Sequence, residues 1–309
     1  MPLIDETTRG VFVISVTPFH PDGEIDWDST DRVTDFYLEA GADGLTILGM
    51  MGEAPKLTQQ ESIALCKRII ARASGAPVVV GVSAPGLAAL RELATTVMDL
   101  GAAGVMVAPP GSLRTDSQIH GYYGQVVETL GPDVPVVLQD FPLSTGVQLS
   151  DEALARIIDD FPSIRMLKHE DWPGLAKISK IRAAEAKGRR RISILCGNGG
   201  GFLVEEMMRG ADGAMTGFAF PEMMVRIVEQ VDAGNESRAR DIFDAYLPLV
   251  RYESQPGLGL AVRKHVLARR GAIVSPSLRK PGGGLDKTSA AEIDLMMDRL
   301  AQRLAQLDG

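Results

Sequence analysis

IRMLKHE, residues 164–170, is a short apolar run that ends in charge. Read as a strand, it points alternate side chains to opposite faces. Met166, Lys168 and Glu170 then share one face, with Leu167 and His169 on the other. Seven further runs have the same form: VFVISVTPF (11–19), GLTILG (44–49), PVVVGVS (77–83), GVMVAPP (104–110), PVVLQDF (135–141), ISILCG (192–197) and GAMTGF (213–218). Each is mostly continuous in its apolar character and bounded by Gly, Pro or charge, as expected of parallel strands covered on both faces.

Between the runs lie helical patterns. DWDSTDRVTDFYLEAG opens with candidate caps and stops at Gly41. LTQQESIALCKRIIARASG places Thr58 three residues before Glu61, the spacing of a capping box, and stops at Gly75. Eight strand–helix units predict an α/β protein, a (β/α)8 TIM barrel. No GxGxxG follows the first run, which removes the usual dinucleotide reading of an open doubly wound sheet. After Phe218 the pattern is helical, with breaks at Gly234, Gln255–Gly257 and SPSLRKPGGGLD (275–286). The expected organisation is a barrel over 1–233 and a C-terminal helical extension over 234–309, packed on it.

A formal net charge of −8 argues against a nucleic-acid partner. The two cysteines, Cys66 and Cys196, suggest no disulfide framework. MPLIDETTRG lacks a basic segment followed by an apolar stretch, and no apolar run is long enough to span a bilayer. A cytoplasmic protein without a membrane partner is expected. The four histidines, His20, His120, His169 and His265, form no HxH or HxxxH pair, so no metal is expected.

Barrel active sites lie at the C-terminal ends of the strands. The polar residues there are Thr17, the stretch Gly49 to Glu53, Gln139 with Asp140, Lys168 with Glu170, and Asn198. A Lys in an apolar interior loses solvation for its charged form, and the neutral amine is a nucleophile toward carbonyls. Glu170 beside it can move protons. In isolation, a solvated strand-end ion pair explains the same run equally well; the convergence of polar groups from several strands makes it a candidate site. An ionised Glu170 would raise the pKa of Lys168 while burial lowers it, so the two are expected to titrate as a coupled pair.

The sequence resembles the dihydrodipicolinate synthase/N-acetylneuraminate lyase family over nearly its whole length. GADGLTILGMMGEAPKLTQQE (41–61) is similar to the family's segment with a GTTGE loop and a TxxE helix start, and MLKHE (166–170) to its Schiff-base lysine strand. PVVLQDFPLSTG (135–146) is similar to the segment that carries a catalytic tyrosine, and ILCGNGG (194–200) to the glycine turn after strand seven. The resemblance implies a homo-oligomer, tetramer or dimer, that binds a small 2-keto acid as an imine on Lys168 and needs no other cofactor.

The departures are specific. Met50 and Met51 replace the family's two threonines, and Gln139 replaces its tyrosine. APPG (108–111) stands where the PYY turn brings a relay tyrosine, and Ser144 where the synthase has an arginine for its second substrate's carboxylate. Tyr122 and Tyr123 fall in a helical pattern and are expected to be packing residues. Aldol cleavage needs a base for the C4 hydroxyl, which a glutamine cannot be. Elimination needs a base for a C3 proton and an acid for the leaving hydroxyl, and Glu170 can be both. The pattern is thus most similar to members that dehydrate L-2-keto-3-deoxyarabonate to 2-ketoglutaric semialdehyde. The expected catalytic residues are Lys168, Glu170 and Gln139. Backbone amides around Gly49, Met50 and Met51 would hold the substrate carboxylate; Gln139 and Asn198 would meet its hydroxyls, and Thr17 would line the floor. The alternatives are a pyruvate-dependent aldolase using Asp140 or a water, a dihydrodipicolinate synthase-like enzyme, and a non-catalytic keto-acid-binding barrel.

Overall fold

The computed structural model describes residues 2–308. Met1 and Gly309, the outermost residues of the two expected units, lie outside them. The strands are β1 (Gly10–Ile14), β2 (Gly44–Ile47), β3 (Val78–Gly81), β4 (Gly104–Val107), β5 (Val136–Asp140), β6 (Ile164–His169), β7 (Ser193–Cys196) and β8 (Gly213–Thr216). All neighbours are parallel, and β8 pairs with β1 to close the barrel.

Around it run α1 (Trp27–Glu39), α2 (Gln59–Arg72), α3 (Leu87–Asp99), α4 (Asp116–Leu130), the single turn α5 (Pro142–Thr145), α6 (Asp151–Asp160), α7 (Leu175–Glu185), α8 (Leu203–Met208) and α9 (Pro221–Asp232). Then come α10 (Glu236–Glu253), α11 (Gly259–Arg269) and α12 (Lys287–Asp308). The helix starts follow local chemistry. Thr58 and Glu61 form the capping box that their spacing predicts, Thr115 and Gln118 form a second, and Ser150 caps α6. Among the described residues no helix is long and apolar enough to cross a membrane.

Strand alternation divides the apolar side chains into two cores. Phe12, Ile14, Val79, Met106, Val137, Met166, Leu195 and Met215 fill the barrel, and Ile4 joins them. Ile4 donates its N–H to the Ala103 carbonyl, and Gly104 leaves room for its side chain, where a Cβ would lie 2.8 Å away. Val136, Leu138, Leu167, Ile194 and Ala214 face the helices instead. One irregularity matters for the site. Val136 stands opposite Ile164 but Val137 opposite Met166, so β6 carries one extra residue, Arg165. Beyond that bulge Gln139 stands opposite Lys168, and both follow the inward phase of Val137 and Met166.

Candidate active site

At the C-terminal mouth of the barrel is a cavity of about 460 Å³. Ile14, Gln139, Lys168 and Glu170 form its base, with Met51 leaning over the barrel core. Lys168 and Glu170 are each 5% exposed, and their Nζ and Oε2 atoms are 3.0 Å apart. Gln139 donates from Nε2 to the same Glu170 oxygen at 2.7 Å. Gly197, inward on β7's continuation, makes this possible: a Cβ there would lie 2.1 Å from Glu170 Cγ. Asn198 donates to the Glu170 carbonyl at 3.1 Å, and Gly199 N–H donates to the Thr216 hydroxyl at 2.8 Å. Leu48, Glu53 and Asn198, all at this end, have left-handed backbone (φ 54°, 57° and 52°). Such conformations are costly outside glycine and gather at sites that the surrounding structure holds in place.

The residues expected from sequence do not all take the places expected of them. Lys168, Glu170, Gln139, Met50, Met51 and Asn198 line the cavity. Thr17 does not: its buried hydroxyl donates to the Gly52 carbonyl at 2.6 Å and fastens the loop behind the lining. Gly49 lies just outside the lining, close enough to Ile14 that a Cβ would touch it at 3.4 Å, and precedes a 3-10 turn over Met50–Gly52. The first N–H groups of such a turn have no intrahelical acceptor, so Met50 and Met51 open it with free amides. Gln139 reaches Glu170 rather than standing free for a hydroxyl, which leaves its carbonyl and one N–H proton available. Asp140 is the clearest correction to the aldolase alternative. One residue after Gln139, it faces the helix layer and pairs with Lys177 of α7 at 2.8 Å. Burial pushes its carboxyl up to about 6, against the pull of Lys177. Tyr123 packs in the outer core with its hydroxyl on the Val107 carbonyl.

Sequence reading missed the outer wall. It comes from the C-terminal extension: Val250, Glu253, residues 254–257, Gly259, Leu260 and Arg263. Arg263 pairs with Glu253 at 2.7 Å and donates to the Gly217 carbonyl. Glu253 is raised by burial, with Arg263 opposing. The extension also braces the β2 loop. Glu53, 2% exposed, accepts from Lys264 at 2.6 Å, from Lys56 at 2.7 Å and from the Arg279 N–H at 3.1 Å. No sequence spacing links positions so far apart. Among the described residues no cluster of His, Cys, Asp and Glu could hold a metal ion.

Over residues 7–299 the chain matches the dihydrodipicolinate synthetase family. An L-2-keto-3-deoxyarabonate dehydratase of Azospirillum brasilense is 32% identical over 298 residues, 94% of each chain. A 4-hydroxy-tetrahydrodipicolinate synthase of Chlorobium luteolum is 30% identical over 300 residues, covering 94% of this chain and 97% of that one. The crystal structure of a dihydrodipicolinate synthase from Rhodopseudomonas palustris matches with a TM-score of 0.95 at 53% identity, covering 97% of this chain and all of that one.

Proposed function

The chain belongs to the dihydrodipicolinate synthetase family, and on that footing we propose that it dehydrates a 2-keto-3-deoxy sugar acid, L-2-keto-3-deoxyarabonate, to 2-ketoglutaric semialdehyde. It is an enzyme, a lyase of the class I aldolase type, from a family that works through a lysine Schiff base without an external cofactor. The observation that carries the dehydratase reading is the Lys168–Glu170–Gln139 arrangement in a cavity that, among the described residues, is lined by no tyrosine.

The chemistry runs as follows. Lys168 Nζ adds to the C2 carbonyl, and loss of that oxygen as water gives the imine. The imine makes C3–H acidic, and Glu170 takes one C3 proton. The C4 hydroxyl leaves, and the proton on Glu170 goes with it as water. A C5 proton moves to C3, which gives the C4–C5 enol. The enol's hydroxyl proton moves to C4, which leaves the aldehyde, and hydrolysis of the imine takes up one water and frees Lys168. The net change is the loss of one water. The free amides of Met50 and Met51 hold the C1 carboxylate, and Gln139 keeps the Glu170 carboxylate turned toward C3. The working form is a cytoplasmic homo-oligomer, a tetramer or dimer; sedimentation as a single monomeric species would contradict that part.

A second reading, the synthase itself, is favoured by the 53% identical structure. It needs a cation for a second substrate's carboxylate. Besides Lys168 the described lining has one cation, Arg263, already paired with Glu253, and Ser144 points its hydroxyl at Met50 Sδ. These features favour a substrate with a single carboxylate.

The test is mass spectrometry of the product formed from L-2-keto-3-deoxyarabonate. Dehydration gives a product lighter by one water. Pyruvate with glycolaldehyde would instead make the protein an aldolase, and consumption of pyruvate with a carboxylate-bearing aldehyde would make it a synthase. Lys168→Ala is expected to abolish borohydride trapping of the keto acid; retained trapping would sink the central role of Lys168.

A further inference from the structure

Behind the Gln139–Glu170 hydrogen bond, on the side of β5 and β6 away from the cavity, lies a second buried charge cluster. Lys177, in the first turn of α7, is 6% exposed. Its ammonium lies 2.8 Å from Asp140 Oδ2, 2.6 Å from Asp171 Oδ2 and 2.9 Å from the Leu149 carbonyl. Three acceptors match its three protons. Asp140 directly follows Gln139, and Asp171 directly follows Glu170. The strands are tied at the same point, where Glu170 N–H donates to the Asp140 carbonyl at 2.9 Å.

We propose that Lys177 is a positioning residue for the reaction: it clamps the ends of β5 and β6 and neutralises two carboxylates that would otherwise act on Glu170 through the strand backbone. The proposal rests on Glu170 being the base.

The surrounding charges single out Lys177. Around Glu170 are Lys168 two residues before it and the neutral Gln139 and Asn198 and, beyond the strand ends on the helix side, Asp140 at the end of β5, Asp171 just past β6, and Glu206 from α8. Glu206 is itself buried, and burial pushes its carboxyl up to about 8, so it carries little charge near neutrality. His169 shares the outer face with Asp140 and Asp171; burial and the neighbouring Lys177 push it down to about 4, so it supplies no cation. Lys177 is therefore what offsets Asp140 and Asp171. Without it, Asp140 loses the cation that opposes its burial and holds its proton, and Asp171, 5% exposed, is left as an unneutralised carboxylate next in the chain to the base. Like charges favour protonation, so Glu170 would hold its proton to a higher pH.

The test is the pH profile of kcat/KM, which reports the free enzyme's groups. Glu170→Gln first identifies the acid limb as that of Glu170. Lys177→Met is then expected to move this limb up by about half a unit to one unit, and Lys177→Met/Asp171→Asn to bring it most of the way back. Asp171→Asn alone is expected to move it down, and supplies the same test if Lys177→Met is recovered unfolded. A limb that survives Glu170→Gln unchanged overturns the reading of Glu170 and this inference together. A limb that disappears in Glu170→Gln yet stays in place in Lys177→Met and Asp171→Asn, with only thermal stability lost, overturns this inference alone.

Discussion

Gly197 shows how a residue without a side chain can decide a site. It takes the inward position on the continuation of β7, and the Glu170 side chain fills the space a Cβ would need. Gly197→Ala places a methyl 2.1 Å from Glu170 Cγ and forces the carboxylate away from Lys168. A displacement of about 1 Å can cost about 10²-fold in rate, so kcat is expected to fall by that order while circular dichroism and borohydride trapping persist. Unchanged kcat would mean that Glu170 does not act from its observed position. At this scale the sequence was legible where chemistry and strand period coincide. Met166, Lys168 and Glu170 share a face because they are two apart. The surroundings of Glu170 were harder to see, because Gly197 and Asn198, which touch it, and Lys177, which pairs with its neighbour Asp171, arrive from other strands and helices. Asp140 shows the converse: its neighbour Gln139 is in the site, and strand alternation alone places Asp140 outside it.

The element that holds the proposed carboxylate site is the β2 loop, and its shape depends on a buried carboxylate. Glu53 has left-handed backbone and is fixed by Lys264, Lys56 and the Arg279 N–H. Lys264 is fully buried, also donates to the Ser277 carbonyl and lies 4.6 Å from the centre of the Phe19 ring. Lys264→Met leaves Glu53 short of one cation, and removing one partner of a buried pair costs about 3 kcal/mol. Urea denaturation should show that loss, and KM for the keto acid should rise more than kcat falls, because the loop holds the substrate rather than the reacting carbons. Adding Glu53→Gln should recover part of the stability; no recovery would mean that Lys264 acts through packing alone. Of this element the sequence showed the helix start, since Thr58 and Glu61 lie three apart. It did not show that Glu61 also pairs with Arg279, a contact set by the path of the chain rather than by local spacing.

Over the whole molecule, the eight-fold recurrence of apolar runs made the barrel readable, because every strand is buried on both faces. The charge buried in the outer layer was not readable in that way. Glu206 sits on α8 near Cys196 of β7, with one carboxyl oxygen unpartnered, and burial pushes its carboxyl up to about 8. Its folded pKa lies above the unfolded value, so the stability linked to its protonated form is fully present below the unfolded pKa of about 4.3. That stability is lost as pH rises through about 8. Glu206→Gln removes the titration. Measured by denaturation, the variant should match the wild type near about pH 4 and exceed it by about 1–3 kcal/mol near about pH 9. A difference that does not depend on pH would show that burial there is relieved by means other than protonation.

The bracing of Glu53 also bears on the order in which this chain can become an enzyme. Synthesis proceeds from the N-terminus, and folding begins before the chain is complete. Lys168, Glu170 and all eight strands have been made by residue 216, yet of the groups that satisfy Glu53 only Lys56 has been made by then, and Lys264 and the Arg279 N–H are still to come. While a ribosome still holds that last segment, the β2 loop must keep its carboxylate in water, and the cavity lacks its outer wall. The nascent barrel can therefore close around its lysine before it can grip a substrate, and competence arrives only with the final helices.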